Sequence, residues 1–298
     1  MKIIQCIPNF SEGRDQKIIQ GLVEIARSIP GVTLLDVSSD ENHNRSVFTL
    51  IGDEKNIEEA AFRLGKFAVE NIDLTKHRGE HPRMGAVDVI PFVPIRDASM
   101  EDCIDIAKRL GERCWNELSL PSFLYEEAAS KASRRNLADI RRGQFEGMAE
   151  KLVLKEWVPD FGERKIHPTA GVVGISARFP MVAFNVNLNT SDVSIAKNIA
   201  KAVRHSSGGY AFCKAIGLYL EDQKLAQVSM NMTNYEKTPL YRVFETIVLE
   251  AKRYGVTVKE SEIIGLIPGD ALIDTAKYYL QTSNFDPKIQ VLENRLED

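Results

Sequence analysis

His77-Arg78-Gly79-Glu80-His81 sets two of the chain's five histidines four residues apart, with a glutamate beside the second. These residue types serve two chemistries. As H-x-x-E-H, both imidazoles would hold one zinc ion, which needs a helix so that positions i and i+4 share a face. Gly79 and Pro82 oppose that helix, because proline pushes the residue before it into extended geometry. The second chemistry is proton transfer. An imidazole titrates near pH 6.5 and so accepts and returns a proton at neutral pH. His81 stands in a polar turn just before the apolar run 86–94, a rigid platform for its ring. Glu80 and Asp88 are candidate orienters, and Lys76, Arg78 and Arg83 are candidate partners for a substrate carboxylate. The competing use of His81 is a turn histidine bonded to backbone. His77 reads as a supporting or structural residue.

Other polar clusters are weaker signals. Residues 39–46 (SDENHNRS) gather Asp40, His43, Asn44 and Arg45 between two expected strands and read first as a solvated hairpin loop. Residues 9–13 (NFSEG) are a strand-to-helix turn whose backbone N–H groups could meet an anion. The segment 162–171 (GERKIHPTAG) is basic and stiffened by Pro168; it is either a surface linker or a ligand cradle. His205 and Ser206 are adjacent, which rarely brings two side chains together. No P-loop and no G-x-G-x-x-G occurs.

The elements that must position these residues follow from periodicity. Strands are expected at 2–8, 32–38, 46–52 and 86–94, with a helix between the first two and another between the last two. Asp15 and Asp53 are N-cap candidates, and Pro30-Gly31 stops the first helix. The order β-α-β-β-α-β returns downstream, with strands at 181–188, 215–221, 225–232 and 261–268. Between the halves lie helices near 100–117 and 135–155 and a short strand at SFLYE. We therefore expect an α/β (α+β) fold of two β-α-β-β-α-β subdomains, residues 1–170 and 171–298. Each split β-α-β unit makes a sheet with helices on one face, so the bare faces should cover each other.

Composition narrows the class. The net charge of −4 argues against a dedicated nucleic-acid binder. Four cysteines without a C-x-x-C pair match no zinc framework. The start is too short and interrupted for a signal peptide, and no run of about 18 apolar residues suggests a membrane span. A reduced, cytoplasmic protein is expected.

Taken together, CIPNFSEG (6–13), LLDV with NRSVFT (34–37, 44–49), HRGEHPRMGAVDVIPFVP (77–94), EWVPDFG (156–162) and LAQVSMNM (225–232) resemble the glutamate formimidoyltransferase family, in the family's order and over nearly the whole chain. The resemblance implies transfer of the formimidoyl group of N-formimidoyl-L-glutamate to N5 of tetrahydrofolate, with release of glutamate. Tetrahydrofolate is then a co-substrate, and no metal is called for. It also implies a homodimer and two subdomains with mixed sheets that face each other across a folate groove, helices outside. His81 is the implied catalytic histidine. The implied folate contacts are Gly162, Glu163, Arg164, Lys165, Ile166, His167, Pro168, Thr169, Ala170 and Gly171.

Asn9, Ser38, Asp40, Arg45 and Arg83 are the expected contacts to substrate carboxylates or to the histidine, with Arg164 and Lys165 further clamps. Animal members carry an aspartate where this chain has Ser38; Asp40 is the nearest carboxylate, so the partner of His81 stays open. Animal members also continue into a cyclodeaminase domain; with the sequence ending at Asp298, that activity is expected on a separate protein or not at all. Three other readings stand beside this one. They are formyl transfer between N-formylglutamate and tetrahydrofolate (or from 5-formyltetrahydrofolate), a folate-binding protein without turnover, and a zinc hydrolase.

Overall fold

The computed structural model describes residues 2–295. They fold as two units, one ending at Phe179 and the other beginning at Pro180.

The first unit runs β1 (Ile3–Cys6), β2 (Asn9–Phe10), α1 (Gln16–Ser28), β3 (Val32–Asp40), β4 (Arg45–Gly52), α2 (Glu54–Asn71), β5 (Val87–Arg96), α3 (Met100–Leu118), β6 (Ser122–Glu126), α4 (Leu137–Arg141), α5 (Gln144–Val153) and β7 (Val173–Ala177). Pro8 interrupts one edge-to-edge run into β1 and β2, and both pieces lie between β4 and β5. Across the sheet the strands follow β3, β4, β1 with β2, β5, β7, β6. The last two are parallel to β5, and the other pairs are antiparallel.

Local signals explain the helices. The Asp15 side chain accepts from the N–H of Lys17 and Ile18, and helical spacing then buries Ile19, Leu22 and Ala26. Ser99 and Asp102 form a reciprocal capping box at the start of α3. The helices cover a core in which Phe10 meets Phe48 edge to face at 5.3 Å, with Leu22, Leu50, Ile57, Leu64 and Phe92 fully buried. Each such side chain contributes about 1.5–3 kcal/mol, enough to hold the sheet rigid beneath the polar loops at its ends. A smaller cluster of Met84, Val89, Phe123, Tyr125, Ile140, Met148, Leu152 and Val172 joins α4 and α5 to β5, β6 and the residue that leads into β7.

The second unit comprises β8 (Val182–Leu188), α6 (Val193–Val203), β9 (Cys213–Leu220), β10 (Leu225–Met232), α7 (Leu240–Arg253), β11 (Val258–Ile264), α8 (Gly269–Leu280), α9 (Pro287–Gln290) and α10 (Leu292–Arg295). Its sheet has the order β11, β8, β10, β9. By position in the chain that is fourth, first, third, second. The first unit's β5, β1 with β2, β4 and β3 repeat the same order, so the doubled β-α-β-β-α-β pattern is present in the strand pairing itself.

Several expectations change. The second sheet is purely antiparallel; only the first is mixed, because β6 and β7 extend it in parallel beyond β5. The units divide after Phe179 and not between 170 and 171, because residues 173–177 pair with β5 and β6 as β7. The final strand begins at Val258 and stops before Gly265, whose φ of +72° turns the chain.

Candidate active site

Residues 77–81 are irregular and not helical, as Gly79 and Pro82 dictate. Asn44 locks them to two other segments. Its Oδ1 accepts from Gly13 N–H at 2.9 Å, its Nδ2 donates to Arg78 C=O at 3.0 Å, and its own C=O lies 2.9 Å from His77 Nε2. Glu80 N–H adds a bond to Asn42 C=O at 3.1 Å. Gly79 presses against this junction so closely that a Cβ there would lie 2.3 Å from His43 C=O. The turn after β2, the β3–β4 hairpin and the HRGEHP segment are therefore one rigid body.

His77 is the anchor of that body. Its Nε2 donates to the Asn44 carbonyl, which can only accept, and its Nδ1 accepts from Arg83 Nε at 3.1 Å. Burial holds its pKa below the usual imidazole value. Both ring nitrogens are thus engaged within the chain. Among the described residues, no group of three or more His, Cys, Asp or Glu side chains is arranged to hold a metal ion.

His81 sits in a different environment. Beside it, β5 carries one extra residue against β2, since Asn9 pairs with Val89 but Phe10 with Val87. Asp88 is that bulged residue, and bulges re-aim side chains. Its carboxylate is fully buried and accepts Arg45 Nη1 at 2.8 Å and Arg141 Nη2 at 2.7 Å on Oδ2, and Met84 N–H at 2.8 Å on Oδ1. Burial alone would raise its pKa, but Arg45, Arg141 and the Met84 N–H outweigh burial and hold it below the ordinary carboxylate value. Asn9 Oδ1 steadies Arg45 from the other side, at 3.2 Å from Nε and 2.9 Å from Nη2.

Two guanidinium groups against one carboxylate leave a surplus positive charge. Half-burial first, then Arg45 and Arg141, push the His81 pKa down to about 4, with Asp88 opposing. His81 is accordingly neutral at pH 7, with a lone pair to offer. Its Nδ1 is buried and bonds to nothing among the described residues.

The remaining expected residues divide. Asp40, opposite Arg45 at the end of β3, binds His43, and the His43 ring faces His81. Ser38 is exposed on β3 opposite Val47. Arg83 is turned to a different partner set. It forms a two-pronged pair with Glu146 at 2.7 and 2.6 Å, reaches Gln144 at 3.1 Å and holds His77. The second charge beside His81, next to that of Arg45, comes from Arg141, which sequence reasoning missed. It ends a five-residue helix whose terminal carbonyls are gathered by Lys151, at 2.6 Å from Ile140 C=O and 3.2 Å from Arg142 C=O, with Asp139 C=O as a further partner.

The 162–171 segment belongs to the first unit. Asp160 fixes its approach, taking Leu124 N–H and Arg134 Nη1 at 2.8 Å and the Ser130 hydroxyl. His167 and Gly171 then close a turn through paired backbone bonds of 2.9 and 3.0 Å, and His167 Nδ1 accepts from Ala170 N–H at 3.0 Å. Ala86 N–H donates to Ala170 C=O at 2.9 Å, and Val172 N–H to Met84 C=O at 3.0 Å. Gly171, with φ +71°, lies so near Met84 that a Cβ would approach its carbonyl oxygen to 2.2 Å. The turn is therefore stitched to the strand start that follows His81. Glu163, Arg164, Lys165 and Pro168 are exposed, Ile166 packs on the smaller cluster, and Gly162 (φ +116°) rests on Trp115 and Pro121.

A doubled split β-α-β scaffold of the α+β class carries a neutral, half-buried histidine beside paired arginines, an arrangement suited to acid–base chemistry on an anionic substrate. Comparison with known proteins makes that specific. Residues 3–178 match the formiminotransferase domain, N-terminal subdomain, and residues 183–294 match the formiminotransferase domain. The chain is 62% identical to the glutamate formimidoyltransferase of Streptococcus pyogenes serotype M1, over 99% of both chains. It is 48% identical to the enzyme of that name from Thermoplasma acidophilum, over 100% of this chain and 98% of the relative. It is 40% identical to the formimidoyltransferase-cyclodeaminase of Mus musculus, matching 99% of this chain and 56% of the longer protein. The chain belongs to the formiminotransferase family.

Proposed function

We propose that this chain is a glutamate formimidoyltransferase that moves the formimidoyl group of N-formimidoyl-L-glutamate to N5 of tetrahydrofolate. The observation that carries the reading is His81, neutral and half-buried beside the Arg45–Asp88–Arg141 group. The arginines' surplus charge suits a carboxylate of the glutamyl donor. As N5 attacks the amidine carbon, His81 accepts the N5 proton. When the tetrahedral intermediate collapses, His81 returns that proton to the departing glutamate nitrogen. No net proton is gained or lost. The exposed part of 162–171 is the folate contact, supported by its backbone connection to the strand start after His81.

The same reading includes a cytoplasmic homodimer. All four cysteines are free thiols, as in a reducing compartment, and the family resemblance carries the dimer. No described helix is long and apolar enough to cross a membrane. Sedimentation of the purified protein checks the dimer.

The deciding experiment assays N-formimidoyl- and N-formylglutamate side by side with tetrahydrofolate, in wild type and His81→Ala. Turnover of the formimidoyl donor is expected, with kcat about 10²–10⁴-fold lower in the variant and folate binding retained. Turnover of the formyl donor alone overturns the donor assignment. Undiminished turnover in His81→Ala overturns the role of His81.

A further inference from the structure

His81 faces a second imidazole that the transfer step above does not use. The ring centroids of His43 and His81 lie 6.1 Å apart with the planes at 83°. His43 is oriented by one residue. Its Nδ1 lies 3.1 Å from Asp40 Oδ2, and its backbone N–H donates to Asp40 Oδ1 at 2.8 Å. An ionised carboxylate only accepts, so in the neutral ring this contact selects the tautomer with the proton on Nδ1 and the lone pair on Nε2. The hairpin cannot shift to release this pair, because Asn44 ties it to Gly13 and Arg78, and Gly79 is pressed against the His43 carbonyl. Ser38 stands two residues before Asp40 on the same side of β3, and no bond joins it to His43.

We propose that the Asp40–His43 pair is the positioning partner of His81, accepting a hydrogen bond from its imidazolium across one water while His81 holds the transferred proton. The inference rests on the function proposed above. The rings meet edge to face without a direct hydrogen bond at His81 Nδ1, and their separation suits a water with hydrogen bonds of about 2.8 Å on either side. The need for such a partner follows from the charges around His81. Arg45 and Arg141 disfavour its protonated form, and the opposing carboxylate of Asp88 is already shared by both arginines. Asp40 is a carboxylate on the His43 side whose side-chain partner is the His43 imidazole, with the His43 backbone N–H on its other oxygen. His43 takes no proton: the proton moves from N5 to His81 and then to the glutamate nitrogen, as before.

The test uses the full chain with His43→Ala and Asp40→Asn. A fall in kcat of about 10²-fold is expected for His43→Ala, with KM for both substrates unchanged, and added imidazole should restore part of it. A merely structural role would instead move KM and thermal stability together and give no rescue. Ring ¹⁵N spectra supply a reading without turnover: the tautomer populations of His81 at neutral pH should differ between wild type and both variants. If the wild type turns over and both variants match it, or if the His81 tautomers are the same in all three, the pair is not its partner. Absence of wild-type turnover with either donor would reject the proposed function, and the ¹⁵N spectra would still decide the pair.

Discussion

Arg141 reaches from the end of α4 to the same carboxylate oxygen of Asp88 that Arg45 holds from β4, at 2.7 and 2.8 Å. One buried negative charge thereby fixes two positive ones beside His81, and half-burial together with their surplus keeps that ring neutral.

Removing one guanidinium should therefore move the acid limb of the reaction. His81 must be neutral to accept a proton, and its pKa of about 4 keeps it so well below pH 6.5. The kcat/KM of the wild type should stay level as pH falls through 6.5. In Arg141→Gln the depressing charge is gone, so the limb should shift upward toward 6.5 while kcat/KM falls at all pH values. A limb at the same pH in both proteins would separate Arg141 from His81.

Asp88 is the keystone for stability. Asp88→Asn leaves Arg45 and Arg141 facing each other without a counter-charge, at a cost of about 3–5 kcal/mol, read as a lower urea midpoint. The signs of the pH dependence follow from the directions of the shifts. Asp88 has a depressed folded pKa, so its contribution is complete above the ordinary carboxylate value and is lost as pH falls toward the folded one. His81 resists protonation when folded, so between about 6.5 and about 4 only the unfolded chain binds that proton. Stability of the wild type should thus decline from pH 6.5 downward and more steeply in the carboxylate range. A flat profile from pH 7 to 4 would contradict both shifts.

Two glycines make a paired test. Gly79→Ala drives a methyl into the His43 carbonyl and should cost about 1–3 kcal/mol, with a loss of kcat as the three segments separate. Gly147, inside α5, has open space around it, so Gly147→Ala should gain roughly 0.5–1 kcal/mol and leave kcat alone. Equal thermal melting of both variants would refute the close packing at Gly79.

Arg83 should act on stability and not on substrate affinity. Lysine cannot reproduce its two-pronged pair with Glu146 or the bond from Nε to His77. Arg83→Lys should cost about 1–3 kcal/mol, most of it from the buried His77 acceptor, since Glu146 is largely exposed. KM for the glutamyl donor should hold. A raised KM at normal stability would return Arg83 to the role of carboxylate clamp.

Much of the scaffold was legible because its signals are local. Asp15 and Asp53 mark helix starts within one turn, and apolar spacing shows which face is buried. Gly79 and Pro82 exclude a zinc-binding helix through neighbouring dihedral angles alone. The two-residue β2 escaped notice because it is shorter than any periodicity, and β7 because its five residues lie between the boundary drawn at 170–171 and the strand expected at 181–188. Arg141, in the run Asp139-Ile140-Arg141-Arg142, looks like any solvated arginine, and His43 looks like a loop residue.

By itself, then, the sequence determined the doubled element order, the non-helical turn at His81 and the motifs that carry the family. Each depends on residues within a few positions of one another, or on matching segments read in order. Only the tertiary structure decided what surrounds the histidine. Asp88 meets Arg45 across 43 residues and Arg141 across 53, joined by strand register and by a bulge that re-aims the carboxylate. Side-chain alternation cannot foresee a bulge, and the field at His81 is the sum of charges that only folding brings together.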